Sequence, residues 1–422
     1  MSNYKSDFLK HINERGYIYQ VSDAKNLDAI FSKEKITAYI GFDCTAPNLH
    51  IGSLMQILLL RKLLEYGHKP IVLIGGATSK IGDPSLKDKS RKMLNYDDIE
   101  KNIKGIKKVF EKFLDITKIQ IVDNSKWLEK LNYIDFLREI GSHFSVNRML
   151  SLDSVKMRLE RRQNLSFLEF NYMILQGYDF YKLSNKYNCV LQMGGSDQWG
   201  NIICGIDLSR RLSGKELYGL TTPLLTTSSG QKMGKTEDGA IWLNYIKDED
   251  NYSTHPRDFW NYWRDKTENE DVGKFLRLFT NLSLSEISEI ENLKDENIEN
   301  GKELLATKVT ELVHGKNSNW NTKKTIIFKA KDFEKGFGLL SLLSNADIKL
   351  ARSNSEARRL IQSKAIKLNG KIIEDEKYIV NLETFNNSKK LKKLNNLILI
   401  YKKLKKRNSL FYPVFAVERT PR

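Results

Sequence analysis

Apolar and polar positions in the first half of the chain follow two alternating periods. Short apolar runs bounded by turn residues read as strands at "TAYIGFD" (37–43) and "KPIVLIGGAT" (69–78), then at "KIQIVDN" (118–124), "CVLQMGG" (189–195) and "GLTTPLLTT" (219–227). Between them the spacing becomes helical. Ile51, Leu54, Met55, Leu58 and Leu59 share one face, and Ile99, Ile103, Ile106, Phe110 and Leu114 form one stripe of 97–114. Strand–helix–strand repetition predicts an α/β domain with a Rossmann-like, doubly wound parallel sheet. Ligands of such sheets sit beyond the carboxyl ends of the strands.

After about residue 245 the pattern changes. The stretch to about 325 has helical spacing, many charges and no clear strand pattern, which predicts an all-α domain. The segment "GKNSNWNTKKT" then approaches a boundary near 330. The last ~90 residues read as a small α+β unit of their own. Ser353-x-x-Glu356 is a capping box, so a helix should start there with Ala357, Leu360 and Ile361 inward and Arg358 and Arg359 outward. Asn369-Gly370 within "IKLNGKII" predicts a hairpin turn.

A chain of 422 residues exceeds one ordinary core, in keeping with two or three domains. The net charge of +17 points to a polyanionic partner, although a lysine-rich composition alone would give the same total. Its placement is more telling. "KKLKKLNNLILIYKKLKKR" carries nine basic residues and no acidic one, beside the predicted arginine-bearing helix. Such a surface suits a phosphate backbone, and its few aromatics favour backbone and shape reading over base stacking. Cys44, Cys189 and Cys204 lie far apart with no CxxC pair, which argues for a reducing compartment and against disulfides and zinc. No apolar run reaches membrane-spanning length, and "MSNYKSDFLKHINERG" lacks the apolar core of a secretory signal. A cytoplasmic protein with no membrane partner and no organic cofactor is the expectation.

Two segments carry candidate chemistry. In "PNLHIGSLMQ" a helix beginning near Gly52 aims its free N–H groups at the preceding loop, where His50 could donate to a phosphate. Alone, His-x-Gly reads better as a capping or packed histidine. In "GQKMGKTEDG", Lys232 and Lys235 sit in a glycine-flanked loop after a strand and could close over a polyphosphate. Alone, that loop reads as solvated.

Taken together and in this order, the two segments resemble the HIGH and KMSKS signatures of class I aminoacyl-tRNA synthetases. "YIGFDCTAPNLHIGSL", "GGATSKIGDPS", "FLEFNYMILQGYDF" and "LQMGGSDQWGN" extend the resemblance to the bacterial-type tyrosyl branch across nearly the whole chain. The resemblance implies a catalytic domain at 1–230, a signature loop and linker at 231–245, a helical anticodon-binding domain at 246–328 and a ribosomal-protein-like RNA-binding domain at 335–422. It implies ATP with Mg2+ and L-tyrosine as substrates, tRNA(Tyr) as partner, and a homodimer whose interface we expect in "FLREIGSHFSVNRML" and "SFLEF".

The resemblance also implies residue roles. Tyr39 and Asp179 match positions that hydrogen-bond the phenolic hydroxyl, and tyrosyl enzymes are the standing example of such a site rejecting an analogue without that hydroxyl. Asp83, Tyr172 and Gln176 match the surroundings of the substrate ammonium, and Gln198 its carboxylate end. Tyr172, Gln176 and Asp179 also fall at i, i+4 and i+7, one helical face. Asp43, Gly52, Ser53, Gly195 and Asp197 are placed near ribose and adenosine. Thr45 and His50 are assigned to the γ-phosphate, and Lys87, Arg91, Lys232 and Lys235 to the pyrophosphate, with Lys89 and Lys92 competing for the register at 87–91. Arg210 and Arg211 are candidates for the acceptor stem, and the helical middle with Arg358 and Arg359 for the anticodon arm.

Two departures stand out. Ser53 replaces a second histidine, and Gly234 and Thr236 replace serines. Three rivals remain in view: a tryptophanyl synthetase, a small nucleotidyltransferase and a non-catalytic RNA-binding relative. The Tyr39/Asp179 pair argues against the first, the length and tail against the second, and intact His50, Lys232 and Lys235 against the third.

Overall fold

The computed structural model describes residues 4–83, 94–236, 239–247, 249, 251–292, 296–316, 323–329, 335–345, 351, 353–364, 366–368, 371–381, 397–403 and 416–419. They belong to two compact units, 1–254 and 255–422.

The first unit is built on a six-stranded sheet of β1 (Gln20–Val21), β2 (Thr37–Asp43), β3 (Lys69–Gly75), β4 (Gln120–Asp123), β5 (Cys189–Gly195) and β6 (Tyr218–Thr222). Their spatial order is β1-β6-β5-β2-β3-β4, and every neighbouring pair is parallel except β1 with β6. The doubly wound sheet expected from periodicity is thus present. The two-residue edge strand β1 is an addition, too short to leave an alternation in the sequence. β3 is buried from Pro70 to Gly75, as its near-continuous apolar run requires of a strand with neighbours on both sides.

Helices cover the sheet. Ile51–Glu65 buries Ile51, Leu54, Met55, Leu58 and Leu59, the residues of its predicted stripe. Tyr96–Phe113 buries Ile99, Ile106 and Phe110, while Ile103 is half-buried and Asn102 is buried instead. The Asn102 amide donates to the Cys44 carbonyl at 2.8 Å, which satisfies both groups and ties this helix to the loop after β2. Helices Tyr172–Tyr187 and Trp199–Ser213 pack with Tyr39, Ile71, Leu73 and Val122 of the strands into one core. Asn188 (φ 51°) and Gly214 (φ 66°) end these helices in the left-handed conformation that short polar or side-chain-free residues adopt most readily.

The second unit begins with helices Pro256–Asp265, Val272–Phe279, Leu284–Glu291 and Glu296–His314, whose core includes Phe259, Trp263, Phe275, Leu276 and Leu305. Its five-stranded sheet orders Lys371–Ile372, Ile366–Leu368, Ala416–Arg419, Leu397–Lys403 and Lys323–Lys329. Lys323–Lys329 is the next described element after the helix ending at His314 and pairs antiparallel with Leu397–Lys403. Its apolar centre is three residues long, Ile326–Phe328, and its partner lies some seventy positions on, so the local pattern shows a boundary and not a strand. The predicted helix is Asn354–Gln362: the Ser353 hydroxyl accepts from the Glu356 N–H at 3.2 Å, and Ala357, Leu360 and Ile361 are buried. Leu368 faces Lys371 in the expected hairpin, whose Asn369-Gly370 turn lies outside the described residues, as does most of the basic run at 389–407.

Candidate active site

From β2 the chain winds one way across the sheet to β3 and β4. From β5 it winds the other way to β6. The crevice beyond the carboxyl ends of β2 and β5 is therefore the switch point of the strand order. A cavity of about 330 Å³ opens there.

At its deep end Tyr39, on β2, is fully buried, and its hydroxyl has no hydrogen-bond partner among the described residues. Burial, reinforced by the nearby Asp179 charge, raises its pKa well above the ordinary phenol value, so Tyr39 stays protonated. Asp179 lines the same cavity from the Tyr172–Tyr187 helix. It accepts from the Asn124 amide at 2.9 Å and from the Trp127 indole at 2.8 Å. Burial nevertheless pushes its carboxyl up to about 7, and those two donors only partly oppose it.

Further out, Tyr172 and Gln176 stand on the same helical face and also line the cavity. The Tyr172 hydroxyl donates to Asp43 at 3.0 Å, and the Thr78 hydroxyl to the other oxygen of Asp43 at 2.8 Å. The Gln198 amide donates to Asp83 at 2.8 Å and to Asp197 at 3.1 Å, while its oxygen accepts from Gln176 and Asn201 at 3.3 Å each. The groups assigned to ammonium, carboxylate and ribose are thus held in two hydrogen-bonded sets, one around Asp43 and one around Gln198. Burial raises Asp197; the Gln198 amide and, more weakly, the Lys232 charge pull the other way.

His50 answers the question posed by His-x-Gly. Its Nδ1 accepts from the Gly52 N–H at 3.0 Å, so the residue caps its own helix. An acceptor Nδ1 leaves the neutral ring's proton on Nε2, which makes Nε2 a donor. A Cβ on Gly52 would lie 2.6 Å from His50 Cε1 and 2.8 Å from Nδ1. Glycine here makes room for the histidine's own ring. Capping and phosphate contact, which read as alternatives in the sequence, are compatible on opposite edges of one imidazole.

The second signature reaches the first through backbone bonds. The Ile51 N–H donates to the Ile241 carbonyl at 2.9 Å and the Leu243 N–H to the Leu49 carbonyl at 2.8 Å. The Ile241 N–H donates to Gly234 at 3.0 Å, closing a hairpin whose strands are Lys235–Thr236 and Gly239–Ala240. Gly234 has φ 109°, and a Cβ there would lie 3.2 Å from Ile51 Cγ1 and 3.3 Å from the Gly52 nitrogen. Serine would be strained at this position and crowd the His50 helix, which accounts for the glycine of "KMGKT". Trp242 lines the cavity and meets His50 edge-on, ring centroids 6.3 Å apart.

Tyr39, Asp43, Thr45, His50, Gly52, Ser53, Asp83, Tyr172, Gln176, Asp179, Gly195, Asp197 and Gln198 are all brought to this one cavity. Lys232 stands exposed on the arm paired with Thr226, and Lys235 opens the hairpin. Lys87 and Arg91, like Lys89 and Lys92, lie outside the described residues. Arg210 pairs with Asp207 at 3.8 Å and Glu216 at 3.5 Å, and Arg211 donates to the His143 carbonyl. Arg358 is bound to Glu376 at 2.8 Å, whereas the next residue, Arg359, is exposed.

Sequence reasoning missed Asn124, Trp127, Gln192, Gln56 and Trp242. Asn124 directly follows the carboxyl end of β4, and Gln192 interrupts an apolar central strand. Both positions are polar signals at the ligand edge of such a sheet. Among the described residues no group of three or more His, Cys, Asp or Glu side chains is arranged to hold a metal ion, and no helix is long and apolar enough to cross a membrane.

Comparison with known proteins gives the family. Residues 32–327 match the family of tRNA synthetases class I (W and Y), and residues 341–385 match the S4 domain. The chain is 52% identical over 400 residues to a tyrosine–tRNA ligase of Ehrlichia ruminantium (strain Welgevonden), covering 90% of this chain and 94% of that one. It is 51% identical over 406 residues to the tyrosine–tRNA ligase of Bartonella quintana (strain Toulouse), covering 92% and 95%. Among solved structures, a C-terminally truncated mitochondrial tyrosyl-tRNA synthetase of Aspergillus nidulans superposes with TM-score 0.64 at 30% identity, over 74% of this chain and 91% of that one. The chain therefore belongs to the class I tRNA synthetases of the tryptophan and tyrosine type, and within them to the tyrosine–tRNA ligases, whose reaction consumes ATP.

Proposed function

We propose that tyrosine lies in this cavity with its phenol between Tyr39 and Asp179, its ammonium among Asp83, Tyr172 and Gln176, and its carboxylate end at Gln198. The observation that carries this reading is the buried Tyr39 hydroxyl, which has no partner among the described residues and shares its cavity with a carboxylate. A phenol gives the Tyr39 hydroxyl a partner and Asp179 a further donor; phenylalanine would leave the Tyr39 hydroxyl unpaired.

ATP enters as its Mg2+ complex, with the adenosine side toward Asp43, Gly52, Ser53, Gly195 and Asp197. The tyrosine carboxylate, already ionised, attacks the α-phosphorus in line and releases pyrophosphate, so no general base is needed. The protein's work is positioning and charge stabilisation. Thr45 and the His50 Nε2–H donate to the γ-phosphate, and Lys232, Lys235, Lys87 and Arg91 take up charge on the leaving pyrophosphate. A hydroxyl of the tRNA terminal ribose then attacks the tyrosyl carbonyl of the adenylate, and AMP leaves as the ester forms. Arg210 and Arg211 meet the acceptor stem, while Arg358, Arg359 and the helical part of the second unit meet the anticodon arm.

The enzyme works as a cytoplasmic homodimer. Exposed Leu137, Val146, Leu150, Phe167 and Leu168 in the two predicted interface segments support the dimer. The domain reading at 1–230, 231–245, 246–328 and 335–422 is kept as a functional division, the strand at Lys323–Lys329 being shared with the terminal sheet.

ATP–pyrophosphate exchange without tRNA, run with tyrosine, tryptophan and phenylalanine, tests the pocket. Exchange with tyrosine alone is expected. Exchange with tryptophan would overturn the assignment of Tyr39 and Asp179, and no exchange at all would overturn catalysis.

A further inference from the structure

The hairpin that carries Lys232 and Lys235 returns along Ile241–Leu243 beside the start of the His50 helix, and two side chains outside both signatures hold that return arm. Asn48 is buried at 2% exposure, two residues before His50. Its Nδ2 donates to the Asn244 carbonyl at 3.1 Å and to the Tyr252 carbonyl at 2.8 Å, and its Oδ1 accepts from the Leu49 N–H at 2.8 Å. One amide thus links the backbone at Asn244 and Tyr252 and fastens both to the chain that enters the His50 helix. Lys112 acts from the other side: its Nζ donates to the Leu243 carbonyl at 3.0 Å and to Asn244 Oδ1 at 2.7 Å. Lys112 is exposed as a residue, yet partial burial of its ammonium pushes its pKa down to about 8. The same segment is anchored once more where the Trp242 N–H donates to the Thr254 hydroxyl at 2.8 Å.

We propose that Asn48 is a positioning residue for the activation step, clasping the return arm of the Lys232–Leu243 hairpin so that its lysines close at a fixed distance from His50, with Lys112 as the outer half of the clasp.

The reasoning rests on the proposed roles of His50, Lys232 and Lys235. It requires no contact between Asn48 and tyrosine. Two backbone bonds, at Ile51 and Leu243, join the hairpin to the His50 segment. Without the clasp those bonds must hold a loop that bears charge in the transition state. Displacement of a charge-bearing group by about 1 Å can lower a rate on the order of 100-fold. The clasp acts on the step that forms pyrophosphate and leaves the phenol end of the cavity alone.

Asn48→Asp tests this with little change of shape: the Oδ1 acceptor for Leu49 remains, and the donor to two carbonyls becomes an acceptor that repels them. In full-length protein, tyrosyl-adenylate formation should slow by about 10- to 100-fold, with tyrosine Kd within twofold and reduced hydrogen-exchange protection of the Leu243 and Ile51 amides. Lys112→Met should act in the same direction by about threefold to tenfold, and Lys112→Arg should recover most of that loss. Should Asn48→Asp fail to fold, the two Lys112 variants decide the matter. Activation within about twofold of the parent in Asn48→Asp or, where that variant does not fold, in Lys112→Met would overturn the proposal. So would a slowed reaction with hairpin protection intact, or tyrosine affinity falling in step with the rate. Failure of the underlying reading is distinguishable, because the unmodified protein would then show no tyrosine-dependent exchange.

Discussion

Replacing Gly52 by alanine separates stability from catalysis at one atom. The added Cβ would lie 2.6 Å from His50 Cε1 and 2.8 Å from Nδ1, closer than side chains tolerate, so the ring must turn away. That breaks the 3.0 Å bond from the Gly52 N–H, a cap worth about 1 kcal/mol. Alanine in place of glycine returns up to about 1 kcal/mol of helix propensity, so the net change in stability is close to zero. The consequence for the reaction is larger. A ring rotated away no longer aims Nε2–H at the γ-phosphate, and loss of one preorganised donor costs about 2.7–4 kcal/mol, or roughly 10²–10³ in rate. We therefore expect Gly52→Ala to melt within a few degrees of the parent, bind tyrosine unchanged in equilibrium dialysis, and form tyrosyl-adenylate at least ~100-fold more slowly in a rapid-quench assay. A variant that activates tyrosine within about threefold of the parent rate would refute the reasoning. The capped orientation of His50 would then be irrelevant to the phosphate.

Three further outcomes follow from the same site and from the RNA-facing helix. Asp179, raised to about 7 chiefly by burial, keeps its proton in the folded protein between about pH 4 and 7, where the unfolded chain has lost it. Its contribution to stability therefore falls as pH rises through that window. In the proposed pose the phenol donates to the Asp179 carboxylate, so tyrosine Kd should rise as pH drops below about 7; a flat profile between pH 6 and 8 would contradict this. Tyr39→Phe removes an unpartnered buried oxygen, so the empty protein should melt at the same temperature or higher by calorimetry while discrimination between tyrosine and phenylalanine in pyrophosphate exchange narrows. Arg359→Ala should weaken tRNA binding and reduce its salt slope by about one counterion, read by filter binding across a salt series, whereas Arg358→Ala should do less because Glu376 already holds that guanidinium.

The sheet was legible because five of its strands are apolar runs of four to seven residues with turn residues around them, and periodicity reports that directly. The cavity was legible because Tyr172, Gln176 and Asp179 share a helical face and the signatures flank strands that meet at a switch point. Other features depend on distant partners. Nothing near Asn124 says that its amide reaches Asp179 fifty-five positions away, nor near Asn48 that it binds carbonyls at 244 and 252. Arg358 and Arg359 look equivalent as neighbours on one outward face. Only the fold brings Glu376 to the first, and so separates an arginine held by an acid from one left to solvent.

Three of the buried polar atoms without a partner among the described residues lie in the proposed substrate cavity. Tyr39 Oη, Gln192 Oε1 and Gln56 Oε1 are buried with no hydrogen-bond partner among the described residues, and all three residues line the one cavity. Tyr39 and Gln192 face each other across β2 and β5, at the tyrosine end. Gln56 lies one turn beyond Ser53 on the catalytic helix, its amide held by the Thr222 hydroxyl at 2.7 Å. Each unmet group costs about 1–3 kcal/mol against a domain stability of about 5–15 kcal/mol, so three in one cavity are a substantial burden on the empty protein. Apolar side chains in those places would make a firmer core. What they could not do is become satisfied when a phenol or a ribose arrives, and that difference between empty and filled states is the source of selectivity. Gln56 also bears on the departure at Ser53: where the shorter side chain gives up reach, an acceptor on the same helical face already stands in the cavity.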